Sequence, residues 1–311
     1  MDTDVSVEIT DITDGCFHPA SVLSADPQYR TEKSSEFYYN THNGIIPHKN
    51  AVLASWLTIT TIPCHVLRFA CRGRRKLLFK VCVLADETGE TLVSDQQVVE
   101  YVSCRDGYKD IQDRKLEVIK SSVQLAVIVA APTGALSEQV KQRVTEWLDQ
   151  KAQSFPFTDW MAEWIQSAQT SDKTSSTGRA LEWLMAYGDQ NDRLAVIELI
   201  LQMIVDGKAI SAVQADHLID VSRRLGIQQD RLLSSCQKML LMSDCQIENP
   251  SFLLGIDASM DEETYRSRLN QEYRKWNARV THPDERIRRQ ADRMLNLIAD
   301  LRSCHTSQVY H

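Results

Sequence analysis

The chain has 311 residues, room for two or three domains, and its 43% hydrophobic and 25% charged residues are ordinary for a soluble globular protein. A formal net charge of -7 argues against a general nucleic-acid binder, which carries a basic face. The longest apolar run, Val123–Pro132, is too short to span a bilayer, and Met1 is followed by Asp2 and Asp4 rather than by a basic, then apolar leader.

The eight cysteines, at 16, 64, 71, 82, 104, 236, 245 and 304, form no Cys-x-x-Cys pair, and no histidine stands at zinc-finger spacing from two of them. Several lie in apolar strand patterns and are read as reduced, small hydrophobes, so the expected location is the cytoplasm.

Residues 1–50 read as a weakly structured segment. Val5–Ile9 alternates like a short strand, Ser34–Asn50 is polar, and His42 and His48 have no partner pattern. From Ala51 the period becomes two: Trp56–Thr61, His65–Cys71, Lys76–Leu84 and Thr91–Ser103 are strand-like. Arg72-Gly73-Arg74 and Glu87-Thr88-Gly89 suit hairpin loops. Residues 51–110 are therefore predicted to form a small antiparallel β-sandwich. The dense basic run Arg72–Lys76 reads as a solvated hairpin tip that discourages edge pairing.

From Leu116 the apolar pattern turns helical and stays so. Val118–Ala131, then Pro132-Thr133-Gly134, then Ser137–Lys151 has the same order as Ile197–Asp206, Gly207, Ser211 and the helix after it. In the second copy Gly207 is expected to take the positive φ that ends the first helix, with Ser211 capping the next. Phe155, Pro156, Phe157, Trp160 and Trp164 form an aromatic stretch read as core, and 167–177 a polar linker. Residues 111–246 make one helical domain in this reading.

Asp206, Gly207, Ser211, Leu225 and Gly226 carry a resemblance to the TerB-like domains of tellurite-resistance proteins. That family has an Asp-Gly turn, one or two glutamates soon after, and a helix ending in Leu-Gly; here Gln214 and Asp216 stand at the glutamate positions. The resemblance implies an all-α bundle and, through the family's acidic residues, a divalent metal, for which Asp206, Asp216 and Glu138 are the candidate ligands.

Residues 247–305 are similar to a J-domain: Leu254-Gly255-Ile256 closes a short first helix, Glu263–Val280 is a basic second helix, and His282-Pro283-Asp284 precedes a third. The stretch from Leu254 to His282 is several residues longer than is usual in that family. The resemblance implies docking to a DnaK-type chaperone through His282, Pro283 and Asp284, with Arg274, Lys275 and Arg279 as the basic face. Read for local structure alone, Pro283 stops one helix and Thr281 or Asp284 caps the next.

No phosphate-binding glycine loop, Gly-x-Ser-x-Gly elbow or His-Glu-x-x-His pair occurs. The expectation is an α+β protein: β-sandwich, TerB-like bundle, J-like module. Its expected function is that of a non-enzymatic cytoplasmic adaptor in a bacterial stress or tellurite-resistance-like system, binding protein partners through helical surfaces without cofactor, nucleic acid or membrane span. The alternatives are a J-domain co-chaperone and a divalent-metal sensor.

Overall fold

The computed structural model describes residues 2–45, 58–131, 136–151, 173–241, 243, 245–256 and 260–309. The chain divides into two compact units, 1–114 and 115–311, and the architecture is α+β with an antiparallel sheet region in the first.

Among the described residues the first unit has seven strands: β1 (Asp2–Asp11), β2 (Ala20–Ser21), β3 (Leu23–Ser24), β4 (Tyr38–Ile45), β5 (Leu67–Arg68), β6 (Gly73–Ala85) and β7 (Thr91–Ser103). β1 lies inside a five-stranded sheet, pairing antiparallel with β2 and β4 on one side and with β6 on the other, while β7 pairs with β6. β3 and β5 form a separate two-stranded ladder. The alternation of Val5, Val7 and Ile9 reflects this burial, since those side chains are at most 6% exposed. Val7, Ile9, Phe37, Phe69 and Leu77 form the core with Tyr29, which stacks on Phe37 and Tyr39 at 5.9 and 5.7 Å.

Three expectations are corrected here. The segment 1–50 is not weakly structured as far as it is described, because β1 and β4 hold the middle and one flank of the sheet. Residues 58–63 form no strand, and the rest of the Ala51–Thr61 pattern, with His48, lies outside the described residues. The Arg72–Lys76 run is not a hairpin tip: Gly73 opens β6, and Arg74, Arg75 and Lys76 pair with Val102, Tyr101 and Glu100. Asp110 Oδ2 accepts from the amides of both Arg72 and Gly107, holding the end of β7 against the start of β6. Gly107 is needed there, because a Cβ would stand 2.1 Å from the Ala70 carbonyl oxygen. The Glu87-Thr88-Gly89 turn does join β6 to β7, with Gly89 at φ +67° and its amide donating to Ala85.

The division between units falls within α1 (Tyr108–Ala130), whose second half is buried, with Val123, Leu125 and Ala126 at 0% exposure. Then follow α2 (Glu138–Lys151), α3 (Lys173–Tyr187) and α4 (Gln190–Asp206), a short strand β8 (Ala209–Ile210), α5 (Ala212–Arg224), α6 (Gln229–Leu240) and β9 (Gln246–Ile247), which pairs parallel with β8. A 3-10 turn at Pro250–Leu254 precedes α7 (Glu262–Asn277) and α8 (Glu285–Val309). Val140, Val144, Trp147 and Leu148 give α2 one apolar stripe. Seven of the ten apolar side chains of α4 are buried and the other three half-buried, so α4 is the central helix of the bundle.

One core contains apolar residues of α1 and α2 together with those of α4 and α5, so the two similar helix pairs share a single interior. The Pro132–Gly134 turn of the first pair lies outside the described residues, as do the aromatic stretch 154–164 and residues 167–172 of the polar linker; Lys173–Thr177 belong to α3. The same core runs on through Leu232 and Cys236 of α6 to Leu253, Leu254, Trp276, Met294 and Ile298. The J-like hairpin is thus fused to the bundle. Arg293 donates to the carbonyls of Leu241 and Ser243, and Gln290 to those of Gln237 and Lys238, so α8 supplies partners to the open C-terminal carbonyls of α6. Among the described residues no helix is long and apolar enough to cross a membrane.

Candidate functional site

The α7–α8 hairpin is built by local signals. Asp261 caps α7, accepting from Thr264 N at 2.8 Å and Thr264 Oγ1 at 2.9 Å, with Glu262 and Glu263 in the first turn. Ahead of it, Gly255 adopts φ +65° and ends the 3-10 turn, while Arg268 Nε donates to the Leu254 carbonyl at 2.8 Å. The Leu-Gly-Ile signature is therefore a left-handed cap tied to the next helix.

At the far end, α7 unwinds through Ala278–Val280 into His282-Pro283-Asp284. Asp284 Oδ1 accepts from Arg286 N at 2.8 Å, and this bond, reinforced by the charge of Arg286, holds its carboxyl below the usual aspartate value. Asp284 N donates to His282 Nδ1 at 3.1 Å, which makes Nε2 the protonated nitrogen of the neutral ring. Arg288 Nη1 donates to the carbonyls of His282 and Pro283 at 2.8 and 2.9 Å. The tripeptide is a braced turn between two helices, with Pro283 exposed.

The three predicted docking cations differ in their surroundings. Lys275 Nζ donates to both carboxylate oxygens of Glu272 and lies 5.4 Å from the Trp276 ring centroid. Arg279 lies over the same ring at 4.7 Å. Trp276 and Glu272 are buried, and Trp276 Nε1 donates to Glu272 Oε2 at 3.0 Å. Arg274 is exposed and, among the described residues, makes no ion pair.

The predicted metal ligands are not brought together. The Asp206 carboxylate, at the C-terminal end of α4, is held by Arg143 of α2 at 2.7 Å. A carboxylate opposes the helix dipole there, and the guanidinium, its own pKa raised chiefly by this bond, offsets it. Glu138 pairs with Lys141, and Asp216 is exposed on α5. Gln214, at a family glutamate position, closes a capping box with Ser211 and donates from Nε2 to the Ala130 carbonyl at 2.6 Å. It bonds α5 to α1 in place of a ligand role. Gly207 does not take the positive φ either: it sits at φ −74°, and Lys208 takes +61° as the chain turns into β8.

Two features escaped the sequence reading. His42 lies 3.2 Å from Asp4 across the β1–β4 ladder. β7 forms the edge of its sheet, with Leu92, Val93, Val98, Val99 and Val102 all 42–60% exposed. An alternating strand is expected to bury one face; here apolar residues of both parities face solvent. Compared with protein-family models, curated proteins and solved structures, the chain matches none of them.

Proposed function

We propose that this chain is a non-enzymatic adaptor, working in the cytoplasm, that recruits a partner by strand addition to β7. The observation that carries the reading is the free edge itself. It is a 13-residue strand paired on one side only among the described residues, with five large apolar side chains exposed. Long apolar edges invite pairing with another chain, and soluble proteins blunt them with lysine, proline or a bulge unless the edge is used. β7 contains no lysine, arginine or proline, its only charges are Asp95 and Glu100, and its one register irregularity lies near its start, at Leu92, leaving Val93–Ser103 in unbroken pairing with β6. The partner this edge suits is an extended segment alternating apolar and basic residues, bound by main-chain hydrogen bonds and side-chain contacts. The helical unit then acts as the scaffold that the TerB resemblance implies. Selection of peptides from a strand library against the whole chain tests this: apolar-basic sequences are expected, with binding lost in V98K/V99K. Peptides that bind V98K/V99K as well as wild type contradict it.

The second reading is a J-domain co-chaperone in a bacterial stress system, supported by the braced His282-Pro283-Asp284 turn at the end of an α7–α8 hairpin. Arg274 supports it too, whereas the engagement of Lys275 and Arg279 with Glu272 and Trp276 weighs against it. An ATPase assay with a DnaK-type chaperone separates the two. Stimulation by wild type that His282→Gln abolishes establishes this reading, and no stimulation by wild type removes it.

A further inference from the structure

We propose that Asp4, His42 and Asp86 bind a divalent transition-metal ion of the zinc class, with water completing the shell. Two of the three face each other across the β1–β4 ladder, and the third stands in the turn just beyond β6. Asp4 of β1 pairs directly with His42 of β4, at a point where the β1–β4 register shifts, and with Leu84 of β6 on its other side. Asp86, two residues beyond Leu84, is pinned beside β1 by its amide, which donates to the Asp2 carbonyl at 3.1 Å. Asp4 and His42, directly opposite, share one face of the sheet, and Asp86 reaches the same point from the turn after β6.

One ligand atom from each lies within 4.8 Å of the other two, the one such group among the described residues. Two donors at zinc-bond length on a tetrahedral ion stand about 3.3 Å apart. His42 Nδ1 and Asp4 Oδ1 are already 3.2 Å apart, and exposed Asp86 offers a carboxylate oxygen within 4.8 Å of a ligand atom of each.

Charge points the same way. Two carboxylates and a neutral imidazole carry −2, which a divalent ion neutralises. Among the described residues no lysine or arginine pairs with either carboxylate, and His42 is the one group set against Asp4. The second acid beside the cross-strand His–Asp pair adds like-charge repulsion that a bound cation would relieve. The donor set also selects the ion. Imidazole with two carboxylates suits zinc and its neighbours, whereas magnesium and calcium favour shells made of oxygen alone, which the histidine nitrogen does not supply. Three protein ligands on an exposed face leave positions for water, the arrangement of an open site.

The site is independent of the β7 reading and is tested separately. The full chain, stripped with a chelator, is titrated calorimetrically with zinc chloride and with magnesium chloride, beside His42→Ala and Asp86→Asn. Wild type is expected to take up one zinc at this site and no magnesium, each variant to bind zinc at least about tenfold more weakly, and zinc to raise the melting temperature of wild type more than that of either variant. Asp86→Asn lies in a turn and decides the matter if His42→Ala fails to fold. Absence of saturable zinc binding in wild type, or zinc binding unchanged in the folded variants as thiolate ligation elsewhere would give, overturns the proposal.

Discussion

Trp276 Nε1 donates to Glu272 Oε2 at 3.0 Å, one turn apart on the buried side of α7. The carboxylate also receives Lys275 Nζ at 3.0 Å and faces Arg268 at 3.6 Å. A buried charge is tolerable only when its lone pairs are filled, and here one helix supplies every partner. The helix that the J-domain resemblance makes a docking face thus spends part of its positive charge on its own interior.

Glu272→Ala is expected to destabilise the helical unit by about 3 kcal/mol, because it removes the anion and leaves Trp276 Nε1 without an acceptor. Trp276→Phe keeps an aromatic side chain but deletes the donor and leaves part of the indole's volume empty, at about 2–4 kcal/mol. Urea melts followed by circular dichroism measure both, and equal stabilities for the two variants and wild type would show the network to be surface decoration.

Gly255→Ala should cost more than an ordinary cap substitution. The residue sits at φ +65°, and an added Cβ would stand 2.9 Å from Leu233 Cδ1 of α6. The left-handed conformation alone costs about 1–2 kcal/mol for a residue with a Cβ, and the contact adds repacking of α6. The same denaturation measurement reads it, with Gly178→Ala, where a Cβ meets nothing within 4 Å, as the control.

Much of this was legible because it is local. Ser211, Leu225-Gly226, Leu254-Gly255 and Asp284 are cap and turn signals whose partners lie within a few residues. The Glu272–Trp276 link, at one helical turn, is local too, but its spacing alone does not show that this face of α7 is buried. What escaped depends on distant pairing. Nothing near Val7 shows that Tyr39 and Val81 flank it, so β1 looked like an isolated strand. His42 meets Asp4 only through that pairing. The Arg72–Lys76 run looked like a turn because of Gly73, whereas tertiary pairing with β7 makes Gly73 the first residue of a strand.

Gln214→Glu restores the acid found in TerB-like domains and is predicted to weaken the fold. It replaces the amide that donates to the Ala130 carbonyl with an acceptor, setting a carboxylate oxygen against a carbonyl. The expected loss is about 1–3 kcal/mol, with no calcium or manganese affinity gained, because Arg143 still occupies Asp206. A gain in metal-dependent melting temperature would revive the acidic-ligand reading.

The His282-Pro283-Asp284 turn should loosen in acid. Asp284 titrates below its ordinary value when folded, chiefly through the Arg286 amide. Its contribution to stability is therefore complete above the unfolded aspartate value, about pH 4, and is lost as the pH falls through the lower folded value. Hydrogen exchange of the first turn of α8 should speed up across that window in wild type and show no such step in Asp284→Asn, which keeps an acceptor without a charge.

Hydrogen exchange along Thr91–Ser103 tests the adaptor account most directly. In the free chain the outward amides of β7 should exchange quickly while those facing β6 stay protected, and a selected apolar-basic strand peptide should slow the outward set without slowing the helical unit. Outward amides already protected in the free chain, or a bound peptide that protects other residues and leaves β7 unchanged, would contradict it.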